Sequence, residues 1–203
     1  VINVTTNYSN PVFNNDVITA EQLMVIKKPP VESPVLNLLS QSNSLQDDFL
    51  ETRFICFAYR YRYSDGEFSA TSQWSRPAFA PGFFNYNFTD NLNQGMLNTI
   101  TSIGIQFDSG SSLVTGIQLL YKESTDSTIK IIDTFNKSIQ GYADNTKYSF
   151  SFNSSKIFTI LPPTELLRLY DNVPLLAQAQ TVMSNRLVYG NYIEGYDLKD
   201  VFN

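Results

Sequence analysis

The sequence predicts a mainly β chain: an antiparallel β-sandwich of the fibronectin type III or immunoglobulin-like kind, with a short C-terminal helical segment and a trailing strand. Three observations predict it. Tyr, Phe, Ile, Val and Thr are plentiful and are interrupted about every ten residues by Asn, Ser, Asp, Gly and Pro, which is the pattern of short strands joined by turns. Long amphipathic periods are missing before residue 162. About seven strand-like runs fall between residues 31 and 161, the number such a sandwich needs.

Residues 1–30 read as an extended N-terminal arm followed by a strand in "VITAEQLMVIKK", closed by Pro29 and Pro30, which cannot continue a central ladder. The sandwich occupies residues 31–161 and is entered through the proline-bounded "PPVESPVLNLL". Its strongest local signal is the hairpin of residues 53–74 with Asp65 and Gly66 at the turn, because Asp-Gly supplies the positive φ angles of a tight hairpin. A two-residue loop there places Tyr63 opposite Phe68, Tyr61 opposite Ala70, Tyr59 opposite Ser72 and Phe57 opposite Trp74. One face is then almost continuously aromatic and is the side expected in the core. Further strands are expected at Ile100–Phe107, Leu113–Lys122 and Ile129–Phe135, with weaker ones at Lys147–Phe152 and Lys156–Leu161. Residues 162–203 read as a helical joint and a strand leading to a neighbouring domain. A short helix is expected in "TELLRLY" and a second from Asp171, with Leu175, Ala179, Val182 and Met183 at helical spacing on one face; "RLVYGNYIEGYDL" then reads as a strand.

Composition narrows the function. The chain of 203 residues is 42% hydrophobic, enough for a full-sized core, and carries a net charge of −5 with no basic run longer than Lys27-Lys28. Binding to a phosphate backbone needs clustered positive charge, so a nucleic-acid role is not expected. No run approaches the roughly 20 apolar residues of a membrane helix. The start at Val1 without Met suggests a fragment or a processed product of a longer polypeptide.

Candidate chemistry is sparse. His is absent and Cys56 is the sole cysteine, read as a small hydrophobe in a strand; neither a metal site nor a cofactor site is expected. Without His, a nucleophilic Ser or Cys lacks its commonest base, and no phosphate-cradling glycine loop occurs. Two acidic groups suffice for glycoside hydrolysis, and Asp47, Asp48, Glu51, Asp65 and Glu67 are the candidates for it, although neighbouring acids in polar loops are usually solvated surface. A Ca²⁺ site from Asp126 or Asp144 would lack the EF-hand pattern. The aromatics of residues 59–74 are expected in the core rather than on a sugar-stacking platform. By contrast, "FAPGFFNYNF" gathers Phe79, Phe83, Phe84, Tyr86 and Phe88 in a segment with little regular structure, which together with Tyr189, Tyr192 and Tyr196 are the candidate contacts with partner chains.

The runs "FAYRYRYSDGEFSATSQWSRPAF", "VTGIQLLYKES" and "DNVPLLAQAQTVMSNRLVYGNYIEGYD" resemble the tail stabilisation or muzzle-type proteins (tail nozzle or hub) of crAss-like short-tailed bacteriophages. The resemblance spans most of residues 16–200 and rests on phrase-like runs rather than on a chemical motif. It implies a non-enzymatic virion protein, made in the host cytoplasm and assembled in a ring, sixfold in expectation, around the DNA-ejection channel. Its partners would be other copies of itself and other virion tail proteins, with DNA passing through unbound and no membrane insertion. Two other classes stay open: an extracellular sandwich module that binds carbohydrate or protein, and a weak two-carboxylate glycosidase.

Overall fold

The structure, a computed structural model, describes residues 20–23, 26–40, 50–51, 53–153, 159–166 and 176–193. The chain divides into two units, Val1–Pro162 and Pro163–Asn203.

In chain order the first unit contains helix α1 (Ala20–Leu23) and strands β1 (Val35–Leu39), β2 (Ile55–Tyr63), β3 (Tyr86–Asn87), β4 (Leu92–Asn93), β5 (Ser102–Asp108), β6 (Val114–Glu123) and β7 (Ile129–Asn136). Helix α2 (Lys137–Gln140), β8 (Lys147–Phe152) and β9 (Thr159–Ile160) follow. Seven of these strands build two antiparallel sheets, ordered β1-β5-β8 and β2-β6-β7-β9. The chain changes sheet after β1, β2, β5, β7 and β8, and stays within one sheet only at the β6–β7 hairpin. The plan is the expected antiparallel sandwich, with a chain order of its own.

Alternation fills the space between the sheets. Ile103, Ile105 and Phe107 of β5 point inward between half-buried neighbours, and Phe57, Tyr59, Tyr61 and Tyr63 of β2 do the same from the opposite sheet. Ile117, Leu119 and Tyr121 of β6, Phe135 of β7 and Phe152 of β8 complete one core. Rings meet across it: Phe57 sits edge-on to Phe152 at 5.2 Å, Tyr59 lies 6.1 Å from Phe107, and Phe107 stacks on Phe135 at 5.8 Å.

The hairpin tip departs from the expected register for a local reason. Its loop has three residues, Ser64, Asp65 and Gly66: Tyr63 N donates to Glu67 O, Gly66 N donates to Tyr63 O, and Gly66 takes φ +84°, the left-handed conformation that ends a three-residue loop. The extra loop residue slips the return strand by one, so Phe68 faces Arg62 and not Tyr63. Phe68 therefore lies on the outer face of β2, 4.1 Å from the Arg60 guanidinium, and Trp74 lies outside as well, 4.4 Å from Lys122 Nζ. The tyrosines are buried as expected; Phe68 and Trp74 are not on their side.

Beyond Phe68 the return chain advances three residues for every two of β2, a repeated β-bulge. Ser69, Ser72 and Ser75 donate their N–H groups to the carbonyls of Tyr61, Tyr59 and Phe57, and Ala78 donates to Ile55. At each serine the hydroxyl stands where a strand carbonyl would be. Tyr61 N donates to Ser69 Oγ at 3.0 Å, Tyr59 N to Ser72 Oγ at 3.1 Å and Phe57 N to Ser75 Oγ at 2.9 Å. Each hydroxyl then donates to the carbonyl of the next residue. The serines, through their N–H groups and hydroxyls together, thereby close the exposed edge of β2 without a further regular strand.

On the outer face of the same sheet Arg60, Gln118 and Thr134 stand in register across β2, β6 and β7. Arg60 Nε donates to Gln118 Oε1 at 2.8 Å, and Gln118 Nε2 to Thr134 Oγ1 at 2.9 Å. Lys137 is also buried, and its ammonium donates to Gly110 O, Ser111 O and Asp144 Oδ1, tying the β5–β6 loop to the β7–β8 loop.

Two expectations on secondary structure are corrected. Residues 20–23 form one helical turn where a strand was expected; "AEQL" is made of good helix formers, and its alternation is too short to define a strand. Likewise the second helix expected from Asp171 is a strand over residues 176–183. The second unit holds α3 (Pro163–Leu166) and an antiparallel hairpin of β10 (Leu176–Met183) and β11 (Arg186–Ile193), in which Asn191 takes φ +49°. Ser184 and Asn185 form its turn with φ +50° and +59°, the paired positive angles of a two-residue hairpin loop. The remainder of the "TELLRLY" helix, and residues 171–175, lie outside the described residues.

Burial sets the response to alkali. It pushes the hydroxyls of Tyr59, Tyr61, Tyr121 and Tyr142 above the ordinary tyrosine value of 10.0. A raised folded-state pKa gives stability that is complete below the unfolded value and is lost as pH climbs beyond it. Stability should thus fall from about pH 10 upward, as tyrosinate absorbance rises, and with no His it should stay nearly flat between about pH 6 and 9. Titration of Tyr59, Tyr61, Tyr121 or Tyr142 before unfolding begins would contradict the buried aromatic face.

Candidate functional site

The expected contact loop is an ordered prong. Its base is tied by Asn98, which is buried: Ala80 N donates to Asn98 Oδ1 at 3.0 Å, and Asn98 Nδ2 donates to Leu50 O and Ala78 O, both at 3.1 Å. Thr99 N and Oγ1 both donate to Ala80 O. From there β3 and β4 pair Tyr86 with Asn93 and Asn87 with Leu92.

Amide side chains hold the prong's shape. Asn93 Oδ1 accepts from Asn85 N at 3.0 Å and from Gly95 N at 3.1 Å, and Gln94 N donates to Asn85 O at 2.8 Å. Asn87 Oδ1 takes Thr89 N while its amide donates to Asp90, and Asn91 at φ +54° closes the turn. A Cβ on Gly95 would lie 1.8 Å from Phe83 O, so only glycine lets the two segments approach this closely. The Asn-rich composition is what a short hairpin without a core of its own requires.

With the backbone so fixed, apolar rings stand in water. Phe83, Phe84 and Phe88 are 97%, 80% and 85% exposed, and Leu92, Met96 and Leu97 are exposed beside them. Phe84 and Tyr86 are parallel within 6° at 6.4 Å, Phe88 meets Tyr86 edge-on at 5.1 Å, and Tyr86 Oη donates to Asn91 Oδ1 at 2.9 Å. Phe79 is half-buried at the base, edge-on to Phe54 at 5.0 Å. Tyr189 is exposed on β11, Tyr192 belongs to β11, and Tyr196 lies outside the described residues.

Asn98 offers a direct test of how the prong is anchored. Asn98→Ala would leave one buried N–H and two buried carbonyls without this partner, a loss of about 2–3 kcal/mol. The expected result is a lower urea midpoint together with faster amide exchange at Ala80; an unchanged midpoint would show that the base is held elsewhere.

Among the described residues no group of three or more Asp, Glu or Cys side chains is placed to hold a metal ion. Asp65, at the hairpin tip, pairs with Lys27 at 2.5 Å and accepts Glu67 N at 3.0 Å, and these hydrogen bonds hold its carboxyl below the ordinary range. Asp47 and Asp48 lie outside the described residues. Asp126 is engaged by Thr128 and Asp144 by Lys137. A separate cavity of about 340 Å³ is lined by Glu21, Tyr59, Tyr61, Tyr63, Asp108 and Ser111. Its walls already bond one another: Ser111 Oγ donates to Glu21 at 2.9 Å, and Tyr63 Oη to Lys28 O at 2.8 Å. These bonds fasten the segment of residues 20–32 to the end of the sandwich. Cys56 is half-buried, and burial raises its thiol pKa.

Among the described residues, no helix is long and apolar enough to cross a membrane. Comparison with protein-family models, with curated proteins and with solved structures finds no match to this chain.

Proposed function

We propose that this chain is a structural virion protein of a phage tail, of the muzzle, nozzle or hub kind, which assembles in a ring around the DNA-ejection channel and carries out no catalysis. The observation that carries the reading is the prong: large rings are held in water by a hydrogen-bonded scaffold whose own stability does not require them there. Exposed aromatic clusters of this sort are contact surfaces, since burying each ring contributes about 1.5–3 kcal/mol. A net charge of −5 agrees with a surface past which DNA slides without sticking. The resemblance of three long runs to crAss-like tail proteins supplies the setting.

The test places p-benzoylphenylalanine at Phe84 and illuminates assembling tail particles. Cross-links to another copy or to a second tail protein are expected. Cross-linking no greater than at exposed Ser112 would sink the assignment.

The parallel Phe84 and Tyr86 rings among Asn85, Asn87, Asp90 and Asn91 favour carbohydrate as a second reading, because flat rings beside amides suit a sugar face. Glycan-array binding that is lost in Tyr86→Ala would establish that reading in place of the first.

A further inference from the structure

We propose that β10 and β11 join copies of this chain edge to edge, β11 of one copy adding antiparallel to β10 of the next. The inference rests on the self-assembly reading above and names a second surface for it. A two-stranded ribbon is at best marginally stable alone, whereas three or more strands sustain a sheet. Here seven residue pairs share one register, interrupted only at Gln178 and Asn191, where Asn191 takes φ +49°, and the described side chains of residues 178–189 are exposed.

The backbone polarity of this hairpin follows from its turn. Met183 and Arg186 close the two-residue loop as a hydrogen-bonded pair, so alternate residues direct their backbone groups away from the partner strand. Gln180 and Val182 on one edge, and Leu187 and Tyr189 on the other, present N–H and C=O outward. The contrast with β2 is direct, for there three serine hydroxyls close the edge. Over residues 179–190 nothing protects an edge: no proline, no register shift, and Arg186 as the sole charge.

Charge and symmetry select the occupant. Copies carrying −5 each repel one another, and this nearly neutral hairpin is where two copies meet at least cost. The two edges have equal length and opposite direction, so β11 of one copy extends β10 of another in the sense the hairpin already uses. Head-to-tail contacts of this kind close into a ring where the rotation from copy to copy closes, and otherwise build an open filament.

Amide exchange on the full chain tests the pairing. As the unsubstituted chain associates, the outward amides at 180, 182, 187 and 189 should gain at least tenfold protection, while the inward amides of Thr181 and Val188 are protected throughout. Gln180→Pro and Tyr189→Pro each remove one outward N–H and spare every inward bond. Each variant alone should leave the opposite edge exchanging freely, and an equimolar mixture should restore its protection. Protection of the opposite edge in a single variant would mean symmetric pairing and would overturn the head-to-tail arrangement. Association that leaves all four outward amides unprotected overturns the edge proposal and leaves the assembly reading standing. A chain that associates neither with itself nor with tail proteins overturns both.

Discussion

Phe57→Ala should destabilise the first unit by about 3–5 kcal/mol, the range for a large buried aromatic cut to Ala. Phe57 is fully buried and lies between the two sheets, with Phe152 edge-on at 5.2 Å and Tyr121 tilted at 6.5 Å. Both ring contacts vanish with the side chain, and the strands on either side are fixed in register and cannot close the gap. Against a typical total stability of about 5–15 kcal/mol the loss is large. Equilibrium urea unfolding followed by tyrosine fluorescence would measure it, with the midpoint lowered and the slope unchanged. A shift below about 1 kcal/mol would mean that the sheets do not share this core.

Replacing Ser69, Ser72 and Ser75 together by Ala should do comparable or greater damage although it deletes only three oxygen atoms. Each hydroxyl accepts a buried N–H from β2 and donates to a neighbouring carbonyl. The chain spacing of three against two leaves no backbone carbonyl in position to replace it. An unsatisfied buried N–H costs about 1–3 kcal/mol, and the three sites do not share partners, so their losses should roughly add. Ser72→Thr retains the oxygen and should recover most of what Ser72→Ala loses. The same denaturation experiment decides the matter, and a triple variant as stable as the parent would refute the hydroxyl-for-carbonyl account of this edge.

That serine edge also shows what could and could not be read from the sequence. The spacing Ser69, Ser72, Ser75, Ala78 is visible in the chain, but a period of three belongs to neither strand nor helix, and only the pairing with β2 gives it meaning. The burial of Tyr59, Tyr61 and Tyr63 was legible because strand alternation has a strict period of two. Ser72 does meet Tyr59, but the partners of Tyr63, Tyr61 and Phe57 were misassigned, because one additional loop residue at Ser64 moves Phe68 to Arg62, the three-for-two spacing then displaces the rest, and Asp-Gly serves two-residue and three-residue loops alike. The bounds of β5 to β8 followed from Asn-, Ser- and Gly-rich separators. Strand β11 falls in the expected run "RLVYGNYIEGYDL", but β10 was missed for a physical reason: with both faces exposed, it shows no inside-outside alternation, and Ala179, Val182 and Met183 fit a helical stripe by chance. The turn between them, Ser184-Asn185, lacks the usual glycine.

At the prong, the aromatic residues themselves were evident in the sequence, while the order of their backbone was not. Asn98 carries no motif, and its role depends on contacts with Leu50, Ala78 and Ala80 that only the fold brings together.

The central claim is that Phe83, Phe84 and Phe88 are exposed in the free chain so that they can be buried against a neighbour in the tail. Hydroxyl-radical footprinting of these three rings, on the free chain and on purified tail particles, measures that burial most directly. The account predicts fast oxidation of all three in the free chain and a drop of fivefold or more in the particle, with Tyr59 slow in both. Equal oxidation of Phe83, Phe84 and Phe88 in the free chain and in the particle would contradict it.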